Sequence, residues 1–241
     1  MKRGNIHYLI DENGSLKKHR RWSGDISSFL YDRIMEKSVF PVKFKGDINK
    51  HFDILKNELR DIHYCDILEI ATGSGTAARI LNRDIRYTGI DISPNLLKIA
   101  SSRFRRYGFK DVHLYNVPAE NLPFKDHCFD FALCNLSLNF FNNVEQFASG
   151  LKRVLKPGAV FFCSVPVPER NPAGSKIRGT LYSEAELKSI FGKYNFSFEP
   201  RPYMNGALLY FSAVSGNPTA KMIHDNSRRA GAGASVTHEH S

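Results

Sequence analysis

The stretch Leu68-Glu69-Ile70-Ala71-Thr72-Gly73-Ser74-Gly75-Thr76-Ala77-Ala78 decides the reading of this chain. An apolar run gives way to a turn of Ala, Thr, Gly and Ser, and a helix is expected to follow. Only small residues let a ligand approach the backbone this closely, and glycine also admits positive φ. Alone, the stretch is ambiguous. Gly73-x-Gly75-x-x-Ala78 with Asp91 downstream fits a dinucleotide-binding fingerprint. It fits as well a site for a nucleoside ligand without phosphates. Both readings put Asp91 at the end of a second strand, accepting hydrogen bonds from ribose hydroxyls.

Outward from this turn, strand-like and helix-like segments alternate. Strands are predicted at 67–70, 87–90, 112–115, 129–134, 159–164 and 207–214. Ser93-Pro94 starts a helix, since Ser caps free amides and Pro fits the first turn. That helix ends in Arg103, Arg105 and Arg106 before Gly108, cations at the pole that favours them, so the arginines read as structural. A helix with Val144, Phe147, Leu151 and Val154 stops at Lys156-Pro157-Gly158, and Ser183 with Glu186 forms a capping box. Such alternation implies an α/β fold, a doubly wound, mostly parallel sheet with helices on both faces. Ligands bind at the carboxyl ends of such strands, where the strand order reverses.

Before this pattern, residues 1–25 read as polar and irregular, with a turn at 11–14. Apolar stripes then predict helices over 26–35 and from Ile48 to Leu59. Residues 1–60 thus form a basic arm with lid helices, 61–215 the core domain, and 216–241 a polar, disordered tail. His238 and His240 in that tail make no metal site. Residues 165–181 carry three prolines and two glycines and read as a long loop over the ligand edge.

The 241 residues suffice for one sizeable core. Net charge is +10, and residues 1–60 hold 13 Lys/Arg against 8 Asp/Glu. The densest patch, Lys17-Lys18-His19-Arg20-Arg21, could meet nucleic acid, anionic lipid or an acidic substrate, although such runs usually form a solvated segment. No stretch approaches the ~18 apolar residues of a membrane span. Four scattered cysteines without a C-x-x-C pair point to a reducing cytoplasm.

Glu69 discriminates between the two readings of the turn. A carboxylate there would repel a pyrophosphate, which relies on bare amides at a helix N-terminus. It would attract S-adenosylmethionine, whose sulfonium and ammonium are cationic. Glu69 to Gly75 resembles the first motif of class I S-adenosylmethionine-dependent methyltransferases, Asp/Glu-x-Gly-x-Gly-x-Gly, with Ala71 in place of the first glycine. Residues 87–93 resemble the second motif. Asn121-Leu122-Pro123-Phe124 and residues 128–134 resemble the third and fourth, and residues 153–158 the helix-to-strand turn that follows. The series is in the family's order over residues 64–164. It is most similar to small-molecule methyltransferases of the ubiquinone and menaquinone biosynthesis type.

The resemblance implies that Glu69 faces the methionine end of the cofactor beside the Ala71, Gly73 and Gly75 backbone. Asp91 would hold the ribose, Ile92 would pack on adenine, Ala119 would offer its amide to the adenine edge, and Asn135 would lie beside the sulfonium. Pro118 stands where many members have an acidic residue, so adenine N6 must find another acceptor. Asn139 stands where many have histidine, and no catalytic base is assigned. The acceptor is expected to be a small molecule in a largely apolar pocket near Tyr31, Asn139 and Phe140, closed by the 26–35 helix and the 165–181 loop. The basic arm keeps an RNA or protein methyltransferase as the alternative. Against it, Asn135-Leu136-Ser137-Leu138 differs from the Asn/Asp-Pro-Pro-aromatic run associated with amino-group methylation.

Overall fold

The computed structural model describes residues 1–9, 31–171 and 174–216. The basic patch at 17–21, the turn at 11–14, the 26–30 part of the first helix and residues 217–241 lie outside the described residues.

The elements in chain order are β1 (Lys2–Arg3), β2 (Ile6–Tyr8), α1 (Tyr31–Ile34), α2 (Ile48–Leu59), β3 (Asp66–Ile70), β4 (Arg86–Asp91), α3 (Pro94–Arg106) and β5 (Val112–Asn116). There follow β6 (Phe129–Asn135), α4 (Val144–Val154), β7 (Leu155–Pro166), α5 (Glu184–Lys193), β8 (Phe196–Pro200) and β9 (Leu208–Ser215). The strands form one nine-stranded sheet in the order β1-β2-β5-β4-β3-β6-β7-β9-β8. Strands β2 to β7 pair in parallel, whereas β1, β9 and β8 are antiparallel to their neighbours. From β3 the chain winds first to β4 and β5, then to β6 on the other side. The reversal therefore falls beside the Gly/Ala turn.

Alternation along the strands sends side chains into two cores. On one face Leu68, Ile70, Ala132 and Cys134 pack with Phe147, Leu151 and Phe191 of α4 and α5. On the other, Ile67, Tyr87 and Leu133 pack with Leu55, Leu59, Leu97 and Phe104 of α2 and α3. Both apolar faces need a helical cover, which is what a parallel sheet requires. The caps read from sequence are formed: the Ser93 hydroxyl accepts from the Leu96 amide at 3.1 Å, and Ser183 with Glu186 completes a capping box.

Four elements differ from the sequence reading. The helix expected after the turn is a single 3-10 turn, Thr76–Arg79. Asn82 then donates its side-chain amide to the Arg60 and Ile62 carbonyls at 3.0 and 2.8 Å, which pins an irregular return to β4. The helix expected over 26–35 runs on as a π-helical segment, Met35–Phe44, through Pro41. Proline removes the N–H of a normal helical turn, and a wider turn accommodates it. Residues 2–8, read as irregular, extend the sheet beside β5. Finally, Phe196–Pro200 adds a short edge strand whose Phe-Ser-Phe alternation was legible but brief.

Candidate functional site

Two cavities open around the Gly/Ala turn and share Ala71 and Gly73 in their walls.

The first cavity lies over β4 and β5, between Asp91, Ile92, Leu96, Val117, Ala119 and Phe140. Asp91 is the last residue of β4 and is 8% exposed. Its Oδ2 accepts from the Gly73 amide at 2.8 Å and its Oδ1 from the Ser93 amide at 2.7 Å. Asn116 steadies the same strand end by donating to the Asp91 carbonyl at 3.0 Å. Two amides hold this carboxylate in place at the strand end. Pro118 lines the same cavity without a donor, while Glu120, Ser137 and Asn142 supply its other polar groups.

The turn itself is held in left-handed backbone. Gly73 has φ 58° and Ala71 φ 54°. Glycine takes that conformation freely, whereas alanine pays a steric cost there. Gly75 serves a different end from the one expected of it. It lines neither cavity, and a Cβ on it would stand 2.9 Å from the Ala100 Cα and Cβ on α3. Its smallness lets the turn sit on the helix.

The second cavity lies between the turn and the N-terminal segment. Its walls include Met35, Phe40, Ile48 and Phe52 from that segment, with Glu69 and Asn135 from the strand ends. Glu69 is 3% exposed. The Tyr87 hydroxyl donates to its Oε2, and the Thr72 hydroxyl lies 2.7 Å from that of Tyr87. Gly89 makes the cluster possible, because a Cβ there would strike the Thr72 hydroxyl. Burial raises the Glu69 carboxyl to about 7, against the pull of the Tyr87 and Thr72 hydrogen bonds, and the charge of Asp91 raises it further. A buried carboxylate beside a second one suits a cationic ligand and rejects a phosphate. Asn135 turns its Oδ1 to the Ser164 hydroxyl at 2.6 Å.

The cover of this cavity is tied down by charge. Asp32 of α1 accepts from the Arg103 guanidinium at 2.5 Å and from the Ser74 hydroxyl at 2.6 Å, and Arg103 also donates to Ser74 at 3.0 Å. Arg103, read from sequence as a helix-end cation, thus links α1 to the turn.

Of the three residues expected near the acceptor, the backbone of Tyr31 lies in α1, and its side chain is outside the described residues. Asn139 does not face a cavity. It is 2% exposed and donates to the Arg178 carbonyl at 2.6 Å, while its own carbonyl accepts from the Thr180 amide at 2.7 Å. It anchors the long loop. Phe140 is 45% exposed and borders the first cavity, not the second. The loop over 165–181 contributes no described residue to either lining, and residues of the 32–52 segment line the second cavity alone.

His51 escaped the sequence reading. It lines the second cavity from α2 and is 1% exposed. A signal existed: on the apolar stripe of Ile48, Phe52, Leu55 and Leu59, His51 occupies an inward position three residues after Ile48.

Comparison with known proteins adds to this geometry. A family model described as a methyltransferase domain matches residues 68–163. A demethylmenaquinone methyltransferase of Chlorobaculum parvum is 28% identical over 140 residues, 56% of this chain and 56% of that protein. The chain thus spans just over half the length of that relative. An uncharacterized protein of Methanocaldococcus jannaschii, MJ1123, is 33% identical over 63% of this chain and 70% of its own length. Among solved structures, a SAM-dependent methyltransferase from Aquifex aeolicus superposes with a TM-score of 0.59 at 16% identity, over 81% of this chain and 98% of that one. At that identity the likeness concerns the fold alone. No helix among the described residues is long and apolar enough to cross a membrane.

Proposed function

Because this chain belongs to the class I S-adenosylmethionine-dependent methyltransferases, we propose that it transfers a methyl group to a small acceptor of apolar or aromatic character. One observation carries this reading: two cavities meet at one turn, the first ending on Asp91 and the second on Glu69. The residues fit the cofactor. Asp91, fixed by two amides, would take the ribose hydroxyls, and Ile92 and Ala119 would flank the adenine. Glu69 would meet the cationic end, with Asn135 across the cavity.

When bound, S-adenosylmethionine supplies an electrophilic methyl group on a sulfonium. The protein's part is to bind, align and exclude water. Met35, Phe40, Ile48 and Phe52 give the second cavity an apolar wall, which supports an acceptor with carbon surface. The relatives named for demethylmenaquinone methylation support a ring-bearing acceptor of that general kind. The free Cys134 and Cys163, registered across β6 and β7, fit a reducing cytoplasm.

The test is to incubate the full chain with methyl-labelled S-adenosylmethionine and, separately, with small-molecule, RNA and protein fractions of a cell extract. Label in the small-molecule fraction is expected. Label confined to RNA or protein would overturn the acceptor class.

A further inference from the structure

The tautomer of His51 can be deduced from its neighbours. Asn205 is oriented without ambiguity: its Oδ1 accepts from the Asp47 amide at 2.8 Å, and its Nδ2 donates to the Asp47 carbonyl at 2.9 Å. The same Nδ2 donates to the Tyr210 hydroxyl at 3.1 Å. Tyr210 keeps its proton, since burial raises its phenol to about 12. Its remaining partner is His51 Nδ1, at 2.8 Å. An Asn nitrogen cannot accept, so the Tyr210 hydroxyl must donate to Nδ1. Burial also lowers the His51 imidazole to about 4, against the hydrogen-bonding pull of the Asn135 side chain, so the ring is neutral. A neutral ring that accepts at Nδ1 carries its proton on Nε2.

That Nε2–H is buried and makes no hydrogen bond of normal geometry, the pull of the Asn135 side chain on the ring notwithstanding. Its ring lines the second cavity, in whose wall Glu69 and Asn135 also stand. Buried donors are almost always satisfied, and an unsatisfied one costs free energy that a ligand can recover. Phe40, Phe52 and Tyr210 surround the ring at centroid distances of 5.0, 5.8 and 5.7 Å and leave it little freedom to turn.

We propose that His51 is a pre-set hydrogen-bond donor that holds an oxygen of the bound ligands, either a carboxylate oxygen of the cofactor's amino-acid end or a phenolate or carbonyl oxygen of the acceptor. The inference rests on the methyltransferase reading and assigns it a residue. His51 is a donor here, not a general base, because its accepting nitrogen is already engaged by Tyr210.

The experiment is nitrogen-15 NMR of histidine-labelled full-length protein, with His51→Phe to assign the signal. Three probes are added in turn: S-adenosylhomocysteine, 5′-methylthioadenosine, and 4-nitrophenolate on top of either nucleoside. The free protein is expected to show His51 as the Nε2–H tautomer. A shift of Nε2 with S-adenosylhomocysteine but not with methylthioadenosine assigns the oxygen to the cofactor's carboxylate. A shift only with 4-nitrophenolate assigns it to the acceptor. A calorimetric comparison follows, in which His51→Gln, keeping an N–H, retains more affinity for the responsive probe than His51→Phe, which loses about tenfold. An Nδ1–H tautomer, or bound nucleoside with Nε2 unmoved by every probe, overturns the proposal. Failure of S-adenosylhomocysteine to bind at all would instead overturn the methyltransferase reading itself.

Discussion

The two cavities that meet at Ala71 and Gly73 are built by different means. The first rests on strand ends and on backbone: Asp91 is held by the Gly73 and Ser93 amides, and its walls come from residues close to β4 and β5. The second depends on side chains brought from afar. Glu69 is satisfied by the hydroxyls of Tyr87 and Thr72, His51 by Tyr210, and the cover by the Asp32–Arg103 pair. A backbone-built site is rigid and survives most substitutions. A site assembled from side chains is easier to retune, and its carboxylate is left near neutrality.

The sharpest way to break this comparison is at the two glycines of the turn. Gly75→Val should damage folding, with a loss of about 3 kcal/mol or more from the collision with Ala100 and the disfavoured φ of 76°. Gly73→Val should fold with a smaller loss, of about 1–2 kcal/mol, yet cease to bind the cofactor. Urea melts paired with calorimetry would separate the two. Equal damage to both properties in both variants would erase the distinction drawn between them.

The Glu69 carboxyl offers a test in pH. Its folded value of about 7 lies above the ordinary 4.5, so the folded state holds a proton that the unfolded chain has lost. Stability of the ligand-free protein should therefore fall as pH rises from about 4.5 to 7, and level off above, by a total of about 3 kcal/mol. Glu69→Gln should remove that slope. Cofactor affinity should rise through pH 7 in the native chain, as the carboxylate ionises to meet a cation, and stay flat in the variant.

Asp91→Ala should weaken cofactor binding ten- to hundredfold, from a loss of about 1.5–3 kcal/mol in charge-assisted hydrogen bonds. The smallest effect is expected at the cover. Arg103→Met removes a partly exposed ion pair and should cost about 1 kcal/mol at most, read as a few-fold faster release of S-adenosylhomocysteine in stopped flow. A release rate unchanged in Arg103→Met would detach the cover from ligand retention.

The same contrast explains what the sequence could and could not disclose. Residues 66–166 carry strand, turn and helix signals within a few positions of one another, and the parallel sheet, the caps and the place of Asp91 follow from them. Ala71, Gly73, Ile92 and Ala119 all line the first cavity, and each sits in or beside a strand-end turn. The second cavity was not. His51 finds its partner 159 residues away, and Asp32 reaches Arg103 across 71. No local pattern records such separations. Asn139 misled because its neighbourhood in sequence is the site's, while its amide is turned to the 178–180 backbone. Gly75 misled because a glycine that admits a helix and one that admits a ligand look alike in sequence.

The central claim is that the turn at 69–75 and Asp91 bind a phosphate-free, cationic adenosine ligand. Calorimetric titration of the full chain at pH 8 with S-adenosylmethionine, and separately with NAD, tests it most directly. Saturable one-to-one binding of S-adenosylmethionine, weakened in Asp91→Ala, with no heat from NAD, is the predicted result. Saturable binding of NAD with none of S-adenosylmethionine would contradict it.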